Sequence, residues 1–434
     1  MNLSSGILAK TKPWDCPPLR NVPILGDQYT STAFLEREWE TMWSKVWLLM
    51  GRSSEMPNPG DYQMEEIGHE SFLMTRQIDG SIRAFYNVCQ HRGSRLVFQT
   101  EGFADPITCP YHGWKWAFDG SLTYVQDPED FSEGNPCDDL NLVEVKCEVF
   151  AGFVWVNMDS NSVALSEYLG PVWDEFEAYE SQNWIRGLSS TVDVPCNWKI
   201  PQDNSCESYH LPSVHPQGLR WIEHDYKYCH FDWCSEGHNR MAIPMATPSR
   251  SLEGSDLRID EQLTAILEPW GLDVHAFKGK EFETREAVQK AKRKQGLEKG
   301  YQFKNLYDDQ LTDAYHYNIF PNVTISFAAA EYIGLQRMRP HPRDPQRHFY
   351  DNFMYLAPGT AQKESITKTE ERRFFKYGEE LMNRQIADQD LGICSGQQLG
   401  LASRGYKGVR ISGQESRVQR FHDVLDDYLE GIRP

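Results

Sequence analysis

The sequence predicts an α+β protein in which a small all-β domain is inserted into a larger one, built on an antiparallel sheet with covering helices. Three observations predict it. Between residues 47 and about 160, short apolar runs recur with glycine turns between them, the pattern of a strand-rich domain. From about 161 the pattern is mixed, with strand-like runs over 315–357 and helical spacing from there to near 430. Ahead of both, 31–46 shows helical spacing, so the segment 1–46 is expected to pack with the larger domain, 161–434.

Taken in order, residues 1–30 are proline-rich and irregular, and the helix over 31–46 is expected to turn Phe34, Trp39, Met42 and Val46 to a core. The domain over 47–160 reads as strands W-L-L-M-G-R, Y-Q-M-E-E-I, S-F-L-M-T-R, I-R-A-F-Y-N-V and F-V-W-V-N-M. Residues 165–180 read as helix, and 186–194 and 225–235 as strands. The charged run E-F-E-T-R-E-A-V-Q-K-A-K-R-K reads as a solvated helix, with a lid or subunit contact as the alternative. Three strands are expected over 315–357, with R-D-P as a turn. Helices are expected near 362–386, 388–402 and 413–430, the last opened by the capping box S-G-Q-E at 412–415.

The chain has 434 residues, enough for a large core and more than one domain. Apolar residues at 40% and charged residues at 25% are those of an ordinary globular protein. A formal charge of −19 without a basic cluster argues against nucleic acid as a partner. Most of this excess charge is expected to be solvated, with docking of a basic patch on a partner as the alternative. No run approaches the roughly 18 apolar residues of a membrane span. The start M-N-L-S-S-G-I-L-A-K lacks the apolar core of a signal peptide. Cys147, Cys196, Cys206 and Cys394 read as free thiols, so a reducing cytoplasm is expected.

Chemistry concentrates in two strings. The first pairs N-V-C-Q-H-R-G-S at 87–94 with C-P-Y-H-G-W at 109–114. Each loop offers one thiolate and one imidazole: Cys89 with His91, and Cys109 with His112. A structural zinc site usually keeps its cysteines in one knuckle and its histidines in another. Alternation instead sorts two cysteines to one side and two histidines to the other. That split suits a Rieske-type 2Fe-2S cluster, with thiolates on one iron and neutral imidazoles on the other. The rival readings are a mononuclear zinc site and two unrelated Cys/His pairs. Gly93 and Gly113 favour the cluster, because backbone amides must approach its sulfurs closely.

The second string is N-W-K-I-P-Q-D-N-S-C-E-S-Y-H-L-P-S-V-H at 197–215. His210 and His215 stand five apart, which one slightly irregular helical turn can aim at one metal. Two histidines and a carboxylate on one face of Fe(II) leave positions open for O2 and substrate. Histidines that only pack or meet solvent are the rival reading.

With these residues in view, the sequence resembles the alpha (large, terminal oxygenase) subunit of Rieske non-haem iron oxygenases, the aromatic-ring-hydroxylating dioxygenase family. The resemblance covers nearly the whole chain. It rests on the cluster loops, the N-W-K and E-x-Y-H-x4-H segments, and Q-D-L-G-I-C-S-G-Q-Q-L-G-L-A-S-R at 389–404. It implies a helix-grip sheet for the larger domain and a third iron ligand at Asp390, with Asp388 as runner-up. It implies that Glu207 links His112 of one subunit to His210 of its neighbour, in a head-to-tail homotrimer (α3), with or without a small beta subunit (α3β3). Many family members carry aspartate where this chain has Glu207; glutamate resembles members acting on quaternary ammonium compounds. Asn204 is expected to line the iron pocket and Tyr209 to buttress it, or both to pack around it.

The implied activity is a terminal oxygenase. A reductase, with or without a ferredoxin, supplies NAD(P)H-derived electrons. The main reading is cis-dihydroxylation of a small apolar aromatic or alicyclic substrate. The alternative is monooxygenation: hydroxylation, or N- or O-demethylation, quaternary amines included. A non-enzymatic electron carrier is the reading from another class; it predicts a cluster without the second metal. Arg337, Arg339 and Arg404 are the arginines considered as anchors for a substrate carboxylate.

Overall fold

Alternating apolar and polar residues turn Trp39–Tyr168 into an all-β unit of its own. The structure is a computed structural model that describes residues 12–433 apart from 104, 256, 367–369 and 380–384. In spatial order, the unit's larger sheet runs Leu48–Arg52, Phe153–Asn157, Glu144–Phe150, Ile82–Tyr86, Glu70–Arg76, Asp61–Ile67 and Glu101–Phe103, all antiparallel. A smaller sheet joins Ile107–Thr108, Lys115–Trp116 and Leu122–Tyr124. Tyr62, Leu73, Phe85, Trp114 and Trp116 form the core, and Cys89 and Cys109 belong to it. Strand Glu144–Phe150 escapes the sequence reading because its E-V-K-C-E-V-F string is half charged.

The second unit joins the residues up to Glu38 to Leu169–Pro434. The helix expected over 31–46 is instead short helices Asp27–Thr30 and Thr32–Glu38, then a wider turn, Trp39–Trp43. Met42 and Val46 are buried as expected, but Leu35 and Glu38 are buried where Phe34 and Trp39 are only half-buried. Glu38 is buried because it accepts from Lys199 Nζ at 2.5 Å and Trp198 Nε1 at 3.1 Å, both also buried. Breaking such a sealed pair costs about 3–5 kcal/mol, so it ties the N-terminal helix firmly to helix Lys199–Ser205.

An eight-stranded sheet organises this unit, in the order His230–Trp233, Asn239–Ile243, Ala314–Ile319, Val323–Ala328, Tyr332–Pro340, His348–Leu356, Ile185–Val194 and Arg373–Lys376. Only the last pairing is parallel. Four strands, not three, occupy 315–357. The run Y-N-I-F-P-N-V-T-I-S-F breaks at Phe320-Pro321-Asn322, because Pro321 cannot donate to a ladder. The helix expected near 362–386 is corrected likewise: Arg373–Lys376 is an edge strand, and parts of the span lie outside the described residues. The strand expected over 225–235 shrinks to His230–Trp233. The charged run is not a solvated helix: helix Thr284–Gln295 buries Val288, Ala291 and Lys292, with Lys292 Nζ 2.5 Å from Glu331. The capping box at Ser412 and Glu415 forms and leads into helix Ser416–Leu429.

The two faces of this sheet differ. Tyr315, Tyr317, Ile325, Phe327, Ile333, Leu335, Phe353 and Tyr355 are all buried, against Phe176, Tyr179 and Trp184. The other face holds helix Lys199–Ser205, whose Ser205 Oγ meets Asn318 Oδ1 at 3.1 Å and Thr324 Oγ1 at 3.0 Å. Beside that helix the face is half-open.

Candidate metal centres

In the all-β unit, two loops of the same shape carry the four cluster candidates. Cys89 N–H donates to Ser94 O and Gly93 N–H back to Cys89 O; Cys109 N–H donates to Trp114 O and Gly113 N–H back to Cys109 O. Gly93 and Gly113 close these turns at φ +72 and +70, a region costly for any residue with a Cβ. A Cβ at either glycine would meet no protein atom within 4 Å, so backbone conformation, not crowding within the chain, calls for glycine. Asn87 pins the first loop: its Oδ1 accepts from Leu96 and Val97 N–H, and its Nδ2 donates to Val97 O.

This donor set fits a cluster. The two buried thiols interact with each other. Burial raises the Cys89 pKa; at Cys109 burial is also the largest influence, but N–H groups of Tyr111 and His112 outweigh it and lower the pKa. Burial, with the charges of His112 and Arg92, pushes His91 toward the neutral imidazole that an iron ligand requires. His91 Nδ1 is buried with no hydrogen-bond partner among the described residues, and the ring is held flat on Trp114 at 4.5 Å. An orphaned buried nitrogen beside two thiols is what a ligand atom without its metal looks like.

In the larger unit, His210 and His215 flank one helical turn, Leu211–Val214. In a continuous helix, residues five apart point in different directions. His215 leaves helical geometry at φ −123, ψ 51, just before Pro216, and that exit brings the rings together at 5.3 Å. Helix Gln385–Leu401 supplies Asp390, whose Oδ1 lies 2.8 Å from His215 Nε2 and 3.6 Å from His210 Nε2. One ligand atom from each residue lies within 4.8 Å of the others. Metal–ligand bonds of about 2 Å at right angles put adjacent donors about 3 Å apart, so the set fits one face of an octahedral ion.

The outer nitrogens are spoken for. His210 Nδ1–H donates to Glu207 Oε1 at 2.6 Å and His215 Nδ1–H to Gln389 Oε1 at 2.8 Å, which turns both Nε2 atoms to the metal position. Glu207 Oε2 also accepts the N–H of Tyr209 and, at 3.1 Å, that of His210. Burial disfavours a charged His215, but the hydrogen bond and charge of Asp390, with Gln389 and Glu207, together raise its pKa. A field that favours a proton there also favours a metal cation.

The remaining candidates divide. Tyr209 is 60% exposed in the single chain, and its backbone N–H donates to Glu207. Asn204 is half-buried on helix Lys199–Ser205, and its neighbours Asp203 and Ser205 make the hydrogen bonds. Asp388 stands apart from the triad, on a cavity with Tyr377 and Ser395. Arg337 and Arg339 do not anchor a substrate: both are paired to the buried Asp351, at 2.7 Å each, on the sheet face away from helix Lys199–Ser205. Arg404 is exposed.

Sequence reasoning missed Gln389 and the floor beneath the triad. On the half-open face, adjacent strands place Phe231, Met241, His316, Ser326, Gly334 and Met354 in one row, with Gln336 in the next. The charges of Asp390 and His210 both act on His316, so the row's middle lies by the triad. Partial exposure alternates along these central strands at His316, Ser326, Gly334, Gln336 and Met354. Polar residues at every second place of a central strand were the available signal.

Comparison with known proteins agrees with this architecture. The family described as "Ring hydroxylating alpha subunit (catalytic domain)" matches residues 181–431, and the Rieske 2Fe-2S domain matches 46–136. The chain is 34% identical over 206 residues to the carnitine monooxygenase oxygenase subunit of Acinetobacter pittii, covering 46% of this chain and 54% of that one. It is 33% identical over 200 residues to the biphenyl 2,3-dioxygenase alpha subunit of Rhodococcus jostii, covering 44% and 43%. The match spans about half the length of these relatives. The fold is that of the quaternary ammonium Rieske monooxygenase CntA in complex with an inhibitor: TM-score 0.69, 21% identity, 94% of this chain and 95% of that chain covered. Among the described residues no helix is long and apolar enough to cross a membrane.

Proposed function

Because this chain belongs to the ring-hydroxylating alpha subunits, Rieske oxygenases that combine a 2Fe-2S cluster with a mononuclear iron, we propose that it is a monooxygenase of polar methylated amines, quaternary ammonium compounds included. The observation that carries this reading is the floor beneath the triad. His316, Ser326, Gly334 and Gln336 are its half-open middle, with the apolar Met354 beside them and Phe231 at the end of the row. Ser326 Oγ and His316 Nδ1 hydrogen-bond each other, but His316 Nε2 is buried without a hydrogen-bond partner among the described residues, and an aromatic hydrocarbon laid there would leave it so. A polar substrate can supply that partner. The identity with carnitine monooxygenase and the glutamate at position 207 support the same choice.

In this reading Cys89, His91, Cys109 and His112 hold the cluster, and His210, His215 and Asp390 hold the iron. Bound there, the cluster supplies single electrons and the iron activates O2. Glu207 and Gln389 fix the two ligand imidazoles by their Nδ1–H groups. His316 stays neutral, its pKa pushed down to about 3 by burial first and by the Arg417 charge second, so it adds no positive charge against a cationic substrate. The partners belong to the same proposal: a reductase, with or without a ferredoxin, and neighbouring copies in a trimer.

Cis-dihydroxylation is the second reading. The apolar cluster of Leu211, Met241, Ile243, Ile222 and Phe231 next to His210 favours it, as does the biphenyl dioxygenase relative. A single turnover of the reduced protein under 18O2 separates the two. Aromatics, aromatic acids and methylated amines are offered together, and products are read by mass spectrometry. One labelled oxygen, or loss of a methyl group, from an amine is expected. Two labelled oxygens in an aromatic diol would overturn the monooxygenase reading.

A further inference from the structure

Among the described residues, Arg417 is a cation without an ion-pair partner. It opens helix Ser416–Leu429, and its side chain is fully buried. Among the described residues its Nε and Nη1 find no hydrogen-bond partner, and Nη2 reaches the Met241 thioether at 3.1 Å. The guanidinium lies over the Phe231 ring at 4.5 Å. Among the described residues no carboxylate forms an ion pair with it. Of the carboxylates whose charges act on it, Asp232 is ion-paired with Arg240, and Glu207 accepts hydrogen bonds from His210 and from the Tyr209 N–H rather than from Arg417. Burial pushes the Cys206 thiol up to about 12 and Cys229 higher still, so neither is an anion at neutral pH. Burial also lowers Arg417 itself, to about 10, which leaves it charged.

Its place in the fold gives this deficit a use. Phe231 pairs with Met241, Met241 with His316, and His316 with Ser326. The guanidinium thus stands over the end of the row whose middle is the half-open floor by the triad. Met241, unbranched and adaptable, is the side chain between them. A buried unpaired guanidinium is costly, and a planar fork of free N–H groups matches a carboxylate. We propose that Arg417 receives the substrate's carboxylate once Met241 swings aside, so that the substrate is a zwitterion with a carboxylate at one end and a methylated ammonium at the other. The ammonium half rests on the function proposed above; the carboxylate half rests on Arg417 alone.

The test titrates the metal-loaded protein with three probes: 4-(trimethylammonio)butyrate, its methyl ester, and 5,5-dimethylhexanoate, the neutral-tailed isostere of the first. Affinity is read by calorimetry and methyl loss by mass spectrometry. R417M is expected to weaken both acids by about 100-fold and to leave the ester within about threefold, because only the acids meet the guanidinium. R417K should fall between. R417M should also raise the Tm of the ligand-free protein, since an unpaired buried charge is removed. Equal weakening of acid and ester would mean that Arg417 merely balances charge or packs, and would overturn the proposal, as would full acid affinity in R417M. Arg417-dependent binding of 5,5-dimethylhexanoate without oxidation of any ammonium probe supports the carboxylate site and refutes the amine reading. Oxidation of ammonium probes at equal rates in R417M does the reverse. Should R417M fail to fold, R417K carries the acid-versus-ester comparison.

Discussion

An imidazole ligand has two nitrogens, and the one that misses the metal decides where the other points. Glu207 holds Nδ1 of His210 and Gln389 holds Nδ1 of His215. Gln389 is itself held by Gln217 Nε2 at 2.8 Å, so the second imidazole is buttressed two residues deep. Gln389→Leu removes the acceptor while keeping the bulk. The mononuclear iron should then bind about 10–100-fold more weakly, with the visible absorption of the cluster unchanged. Iron titration of the variant checks this; unchanged affinity would leave Gln389 as packing. These residues also mark what the sequence could show at this scale. Cys89-x-His91, Cys109-x2-His112 and the His210/His215 pair stand out because their chemistry needs that spacing. Asp390 is distant in sequence and rests on resemblance. Gln389 is an ordinary helical glutamine until the fold brings it to His215, and Tyr209, next to a ligand in sequence, is exposed in the single chain.

Helix Gln385–Leu401 decides between two aspartates by its own geometry. Successive residues turn about 100° around a helix, so Asp388 and Asp390 face about 200° apart. Asp390 meets the imidazoles, while Asp388, with Leu391, Gly392 and Ser395, lines an open cavity of about 490 Å3 that Tyr377 also lines. Tyr377 donates to Leu391 O at 2.8 Å and so belongs to that other side. Asp390→Asn should lose the mononuclear iron, whereas Asp388→Asn should keep it. Metal analysis of the two purified variants reads the difference, and iron loss in Asp388→Asn alone would exchange their roles. Other elements were legible to different degrees for physical reasons. The capping box at 412–415 is a local signal and it formed. The strand Arg373–Lys376 takes its conformation from pairing with Ile185–Val194, a partner far away in sequence. Its string R-F-F-K carries no period long enough to reveal that.

At the scale of the molecule, the α+β plan with an all-β domain was readable because hydrophobic periodicity changes along the chain. The two-sidedness of the eight-stranded sheet was not, since it depends on which face each helix covers. That sheet has a consequence for acid stability. His348 is fully buried where strand His348–Leu356 starts, and its Nδ1–H donates to Cys196 O at 2.8 Å. Its Nε2 is buried with no hydrogen-bond partner among the described residues. Burial is the dominant influence and pushes its pKa down to about 4, although the Cys196 carbonyl, Asp193 and Asp351 pull the other way. An unfolded histidine takes up its proton near pH 6.5. Between that pH and about 4 the unfolded chain is protonated at this residue and the fold is not. The stabilisation from a neutral His348 is therefore complete above pH 6.5 and declines as pH falls, by up to about 3 kcal/mol at the lower end. His316, held neutral to about pH 3, adds a second group of the same sign. Unfolding followed from pH 7 to 4 should show stability falling with acid, and His348→Gln should flatten part of that slope whatever its stability at pH 7. Parallel curves for the two proteins would mean that His348 is protonated within the fold, and that the start of this strand opens to water before the sheet unfolds.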